Sequence, residues 1–304
     1  MAAQVRRRLI ALATAAAVVV GAAGCGAEDG GDAGPATRSD KLVDFSKKPP
    51  FVNAMVPEED GSFLLTTNRG FFRVREGEEP ERIRGTVKAK EGSSPVGTFL
   101  EIDKISEQEL VGSGHPDNER PLPPYLGFMR STDAGRTWTI VSRLSEADLH
   151  QIRRVHGRIY AFDAVLGAIL VSTDDGRTWE ERFTPRELIL DFVVDPADPD
   201  HILASTEETL YRSTDGGEGW RPAMQVKAAR LDWPEKDTVM RADKDGTFLL
   251  STNGGESFQA RGRMEGEPYK VVARGPERAF VALSDGTVLE TTDGGRSFEE
   301  RYRP

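Results

Sequence analysis

Apolar residues in this chain come in short runs broken by Gly, Asp, Asn and Ser, and from residue 51 onward the runs recur in groups of three. One group is Gln151–Val155, Ile159–Phe162 and Ala168–Val171, and the next is Ile189–Val194, Ile202–Ser205 and Thr209–Arg212. Two more follow: Ala229–Trp233, Thr238–Ala242 and Phe248–Leu250, then Lys270–Ala273, Ala279–Leu283 and Val288–Glu290. The turns Asp245-Gly246 and Asp285-Gly286 fall between the second and third runs of these last two groups, as in β-hairpins. Runs of this length, rich in β-branched and aromatic residues, predict strands, and no stretch of this region sustains a 3.6-residue helical period.

Two earlier groups are less regular. Phe99–Ile102 and Glu109–Gly112 precede a long predicted loop, Ser113–Pro124, before Leu126–Arg130. The first group is Val52–Val56, Ser62–Thr66 and Phe71–Val74, followed by the polar stretch Arg75–Pro80. Between these two groups, the Lys/Gly/Ser-rich Gly85–Val96 reads as a surface loop.

Five of the groups end in one phrase. It reads STDAGRTW (Ser131–Trp138), STDDGRTW (Ser172–Trp179), STDGGEGW (Ser213–Trp220), STNGGESF (Ser251–Phe258) and TTDGGRSF (Thr291–Phe298), with starts 41, 41, 38 and 40 residues apart. A period of that size marks a repeat in which each unit is one supersecondary element. The phrase has local logic. Its third residue, Asp133, Asp174, Asp215, Asn253 or Asp293, can accept bonds from nearby amides and hold a tight turn. The glycine at its fifth place supplies a positive φ, and the closing Trp or Phe can fold over the loop and bury itself. These aspartates therefore read as turn braces rather than catalysts. The phrase resembles the Asp-box, or BNR repeat, of sialidases, sortilin-type receptors and other β-propellers. That resemblance implies an all-β, six-bladed propeller of four-stranded blades over residues 51–304, with each box joining the third and fourth strands on the rim. In each unit the inner strand comes first and the outer strand last, which predicts a ring closed without exchange of strands between the termini.

The amino-terminal region changes the setting. Arg6, Arg7 and Arg8 precede an apolar run of about fifteen residues, Leu9–Ala23, shorter than the roughly 20 needed to span a bilayer. Residues 1–24 read as an export signal ending in Ala22-Ala23-Gly24-Cys25, which resembles a bacterial lipobox. Cys25 is the only cysteine among 304 residues, so no disulfide can form within the chain. Residues 25–50 then read as the lipid attachment point and a flexible tether, and the expected location is the outer face of the cell membrane, anchored through Cys25. Removing the signal takes the formal net charge from −10 to −13, because three arginines leave and no acids do. That balance disfavours nucleic acid as a partner. The expected partners are a glycan, a small molecule or an envelope protein, with the protein itself a monomer that needs no cofactor.

Candidate chemistry gathers where loops approach the inner strands, since concave mouths of this kind favour ligands. The predicted loop Gly112–Tyr125 carries His115 and Asp117, and the next inner strand is entered through Asp148-Leu149-His150. His115, Asp117, His150 and Asp163 are the ligand-binding candidates. Two imidazoles with a carboxylate can also ligate a metal or do acid–base work, although the simplest reading is a hydrogen-bonded wall. His115 and His150 are the candidate metal ligands, with weak binding or none expected. His156 and His201 fall in predicted turns.

Ser113-Gly114-His115-Pro116-Asp117, the Asp148-Leu149-His150 segment and the string of boxes are similar to those of an exported bacterial family labelled glycosyl hydrolases. That family tends to open its first blade with H-x-H-G, where this chain has Phe51-Val52-Asn53-Ala54. A sialidase-like arginine motif ahead of the first box is missing, the nearest string being Arg82-Ile83-Arg84. Glu101, Asp163, Asp191 and Asp232 are carboxylates on or near inner strands. The expectation is a binding or scaffolding module at the cell envelope. The alternatives are a glycoside hydrolase and an assembly factor for a membrane complex.

Overall fold

A computed structural model describes residues 51–90, 92–116 and 122–304. The export signal, Cys25, the tether and Asp117 lie outside the described residues. The first sheet pairs β1 (Val52–Pro57), β2 (Phe63–Thr67), β3 (Gly70–Val74) and β4 (Glu81–Ile83) in chain order. The second sheet contains β5 (Thr86–Ala89), β6 (Gly92–Lys104), β7 (Leu110–Pro116), β8 (Phe128–Ser131) and β9 (Thr137–Ser142). The third contains β10 (Leu149–Val155), β11 (Arg158–Asp163), β12 (Ala168–Ser172) and β13 (Glu180–Arg182). The fourth contains β14 (Asp191–Asp195), β15 (Asp198–Ser205), β16 (Thr209–Ser213) and β17 (Arg221–Gln225). The fifth runs β18 (Arg230–Glu235), β19 (Thr238–Ala242), β20 (Thr247–Ser251) and β21 (Gln259–Arg263). The last comprises β22 (Pro268–Ala273), β23 (Ala279–Leu283), β24 (Val288–Thr291) and β25 (Glu299–Tyr302).

The fold is thus an all-β propeller with five four-stranded blades, and the expectation of four strands in every unit fails at the second. There Gly85–Val96 is not a surface loop. It forms a hairpin, β5 with the start of β6, and β5 also pairs in parallel with β9, closing the sheet on itself. Burial explains why: Val87 is fully buried against Trp138 with Ser94 buried opposite it, so Lys88, Lys90 and Ser93 are merely the outward-facing half. Likewise Ser113–Pro116 continues β7 instead of opening a loop, with His115 opposite Thr98.

Each sheet is buried on both faces by its neighbours, which is why strands such as β12 and β14 are buried at every position rather than alternately. Each hydrophobic cluster joins two adjacent sheets; Tyr160 and Ile169 of the third, for example, pack with Phe192 and Ile202 of the fourth. Closure between last and first sheets uses no exchanged strand. In its place Met55, Phe63 and Phe72 pack on Val272, Phe280 and Val288, and Arg301 pairs with Glu76 at 3.0 Å.

The boxes lie between the last two strands of their sheets, third and fourth in the four-stranded blades and β8 and β9 in the second sheet. In the second copy Ser172 Oγ accepts the Gly176 N–H (2.9 Å) and Asp174 Oδ1 accepts the Thr178 N–H (2.9 Å), while the Thr178 hydroxyl donates to Asp174 Oδ2 (2.7 Å). The turn-bracing amide bond recurs at Asp133 (2.7 Å), Asp215 (2.8 Å), Asn253 (3.0 Å) and Asp293 (3.0 Å). The closing Trp138 is fully buried and donates its indole N–H to Gly135 O (2.8 Å).

Candidate functional site

The inner strands begin at one mouth of the ring. There His115, at the end of β7, and His150, on β10, face the two oxygens of one carboxylate. His115 Nε2 lies 3.7 Å from Asp148 Oδ1, and His150 Nε2 lies 3.5 Å from Asp148 Oδ2. His115 Nδ1 sits 2.7 Å from Pro124 O, where only an N–H can bond a carbonyl, so a neutral ring carries its proton on Nδ1 and turns an Nε2 lone pair toward Asp148. The rigid X-Pro segment and the packing of Tyr125 on the His115 ring (centroids 5.8 Å apart) fix this orientation.

Asp148, not Asp163, is the carboxylate that joins the histidines. Asp163 is fully buried and its Oδ1 accepts the N–H groups of Asp148 (3.1 Å) and Val165 (3.0 Å), so it braces the turn that presents Asp148. Sequence spacing could not separate the two acids, because both sit at strand ends of the same hairpin. Among the described residues no three His, Cys, Asp or Glu side chains are arranged to hold a metal ion. At the opposite end of the ring His156 Nε2 reaches Asp195 O (2.8 Å), and His201 stacks edge-on against Trp233.

The concave site lies in the channel, away from the histidine mouth. A cavity of about 330 Å³ is lined by the second halves of the inner strands, including Ile102-Asp103, Arg153-Arg154, Asp232-Trp233 and Ala273-Arg274. His150 starts β10, whereas the cavity is lined from Ile152 onward, so the mouth and the cavity occupy different levels. Sequence reasoning had set the candidate ligand residues at the mouth and missed Arg153, Arg154, Lys270 and Arg274.

A belt of polar side chains links each inner strand to the next around this channel. Asn53 donates to Phe99 O (2.8 Å), Gln151 to Leu190 O (2.6 Å) and Arg153 to Phe192 O (3.3 Å). Asp191 accepts the Leu231 N–H (3.0 Å) and Asp232 the Ala273 N–H (2.6 Å). Arg274 closes the circle by donating to Pro57 O at 3.1 Å. At the centre Arg153 meets Asp191 at 3.0 Å and Asp232 at 3.8 Å. Burial opposes its charge, but the carboxylates of Asp191, Asp232 and Glu101 outweigh that and hold the guanidinium pKa above its ordinary value. Glu101 is buried in direct contact with the Lys270 ammonium, and burial still raises its carboxyl pKa against that attraction. Asp103, loosely paired with Arg154 at 3.8 Å, is raised by burial as well. Arg274 is lowered, burial outweighing the pull of Asp232 and Asp103.

Residues 127–249 match the model of the Sortilin-Vps10 family, described as sortilin, neurotensin receptor 3. The chain is an Asp-box β-propeller. A 96-residue stretch is 37% identical to the dispase autolysis-inducing protein of Streptomyces mobaraensis, covering 31% of this chain and 25% of that protein. The chain thus matches only about a quarter of the length of that relative. Among solved structures, YCF48 bound to D1 peptide aligns with a TM-score of 0.55 and 13% identity over 81% of this chain and 94% of that one. The GH74 xyloglucanase of Xanthomonas campestris aligns at 0.55 and 18% identity over 84% of this chain and 38% of that one. At these identities the likeness is one of fold.

Proposed function

We propose that this protein is an exported propeller of six blades, anchored at the cell envelope through a lipidated Cys25, that acts as a binding module through its channel. The observation that carries the binding reading is the fate of the channel acids. Asp191 and Asp232 are both committed to Arg153 and to the main chain of the next strand, and Glu101 is committed to Lys270. Asp103 is the least committed, with a 3.8 Å ion pair to Arg154 and a main-chain bond from Lys104, whereas glycoside hydrolysis calls for two working carboxyl groups. A structure of the same fold holding a peptide, YCF48 with D1 peptide, is consistent with a propeller used for binding.

The second reading, a glycoside hydrolase, draws on one feature. Burial keeps the Asp103 carboxyl pKa raised, a property of general acids, with Asp232 on another wall of the cavity as the candidate partner. The experiment is to express the full chain in a bacterial host, fractionate it, and incubate it with a panel of envelope and plant polysaccharides. The expected result is a membrane-associated protein that releases no reducing ends, and whose Cys25→Ser form moves to soluble or precursor fractions. One acyl chain binds membranes weakly, but the two or more of a bacterial lipoprotein suffice. Reducing ends released by the wild type and abolished in Asp232→Asn would establish the hydrolase instead. Membrane retention of mature-size Cys25→Ser would remove the lipid anchor.

A further inference from the structure

The cavity's charges do not pair one to one. Its lining carries four cations, Arg153, Arg154, Lys270 and Arg274, and three acids, Glu101, Asp103 and Asp232, with Asp191 as a fourth acid against Arg153. The mismatch can be localised. Lys270 is taken up by Glu101, Arg153 by Asp191 and Asp232, and Arg154 by Asp103. Among the described residues no carboxylate lies within ion-pairing distance of Arg274, although Asp232 and Asp103 act on it from further away. Its guanidinium donates only to two main-chain carbonyls, Ala273 O at 3.2 Å and Pro57 O at 3.1 Å.

A guanidinium offers five N–H donors in a planar fork that matches a carboxylate. One of Arg274's donors is spent on the ring closure at Pro57 O and one on the neighbouring Ala273 O, and these bonds fix the side chain in place at the cavity wall. The others remain available to an anion entering the cavity. Arg154 lines the same cavity from β10, three inner strands away around the ring, and Val272, Val194 and Trp233 supply an apolar surface. The volume of about 330 Å³ lies at the small end of ligand pockets, which suits a molecule of amino-acid or single-sugar size.

We propose that the channel cavity binds a small free organic acid, whose carboxylate is recognised by Arg274, with Arg154 on another wall of the cavity adding to the attraction. This rests on the binding reading given above and names the ligand class. Apolar walls accommodate the body of the acid, while Arg153 is held by its two aspartates and Lys270 by Glu101, so neither of those cations competes for the ligand. A neutral ligand of the same shape gives Arg274 no charge-assisted bond and binds more weakly.

The test titrates the full chain with D-glucuronate and with N-acetyl-L-alanine, each beside its uncharged amide, and follows binding by calorimetry and by the fluorescence of Trp233, which lines the cavity. At least one acid is expected to saturate the protein, with its amide bound at least tenfold more weakly. Arg274→Gln should lower affinity for that acid at least tenfold. Because Arg274 also bonds Pro57, a second variant, Arg154→Gln, is included; its side chain makes no hydrogen bond to the fold, only the loose pair with Asp103. It should weaken acid binding severalfold while leaving the thermal midpoint unchanged. Acids and amides that bind alike, acid binding indifferent to both substitutions, or no acid bound at 10 mM (~) would each overturn the proposal. The two readings fail separately. An acid that binds through Arg274 but is chemically converted sinks the binding-module reading and keeps this site, whereas an inert cavity sinks this site alone.

Discussion

Replacing Gly176 by alanine separates two costs that the box glycine avoids. Its φ is +80°, a left-handed conformation that costs an alanine about 1–2 kcal/mol. A methyl group there would also lie 2.2 Å and 2.3 Å from two ring carbons of Phe128, on the preceding sheet. Phe128 has little room to retreat, being fully buried with its ring edge-on to Trp179 at 5.3 Å. Overpacking of this kind costs about 1–3 kcal/mol, so the expected total for Gly176→Ala is about 2–5 kcal/mol. Gly167 is the control: its φ is +65°, but nothing lies within 4 Å of the added methyl. Gly167→Ala should therefore cost about 1–2 kcal/mol, from backbone strain alone. Urea denaturation of both variants beside the wild type reads the difference, provided the slopes agree. Equal losses in the two variants would refute the idea that the box packs one blade onto the one before it.

Two further outcomes follow from the channel and the turns. Lys270→Met strands the buried Glu101 carboxylate and should cost about 3–5 kcal/mol, whereas Glu101→Gln combined with Lys270→Met should recover most of the loss; equal destabilisation of single and double variants counts against the pairing. The Asp174 carboxyl is held down to about 2, through hydrogen bonds from the Thr178 main chain and hydroxyl. Because its folded pKa lies below its unfolded value, its contribution is complete above the ordinary carboxylate range and is lost as pH falls through about 2. Asp174→Asn imitates the fourth box, where Asn253 Oδ1 accepts the Ser257 N–H at 3.0 Å without titrating. Thermal midpoints measured while acidifying from about pH 5 to 2 should fall less steeply for Asp174→Asn, and parallel curves would exclude the contribution.

The sequence by itself determined the features whose partners are close along the chain. The box bonds join residues two to four apart, such as Ser172, Asp174, Gly176 and Thr178, so eight letters suffice to write the turn and their period to write a ring of sheets. The extra hairpin at β5 escaped because its outward half includes Lys88 and Ser93 while the buried pair across it is Val87 and the polar Ser94, too short an apolar alternation to read without the partner strand β9. The channel was decided by tertiary structure. Arg153 and Asp191 are 38 residues apart, Asp232 and Ala273 are 41 apart, and Arg274 reaches Pro57 across 217. The first two separations are close to the repeat period, but superimposing the units does not align these residues as one ring: Arg153 and Asp232 lie 19 residues before the first residue of their boxes and Asp191 lies 22 before its own. Which of those charges cancel, and that Arg274 is left with no carboxylate at ion-pairing distance among the described residues, depends on distances around a closed circle. No local pattern encodes that, because the strength of each pair is set by where ring closure places its partner and how much water it excludes.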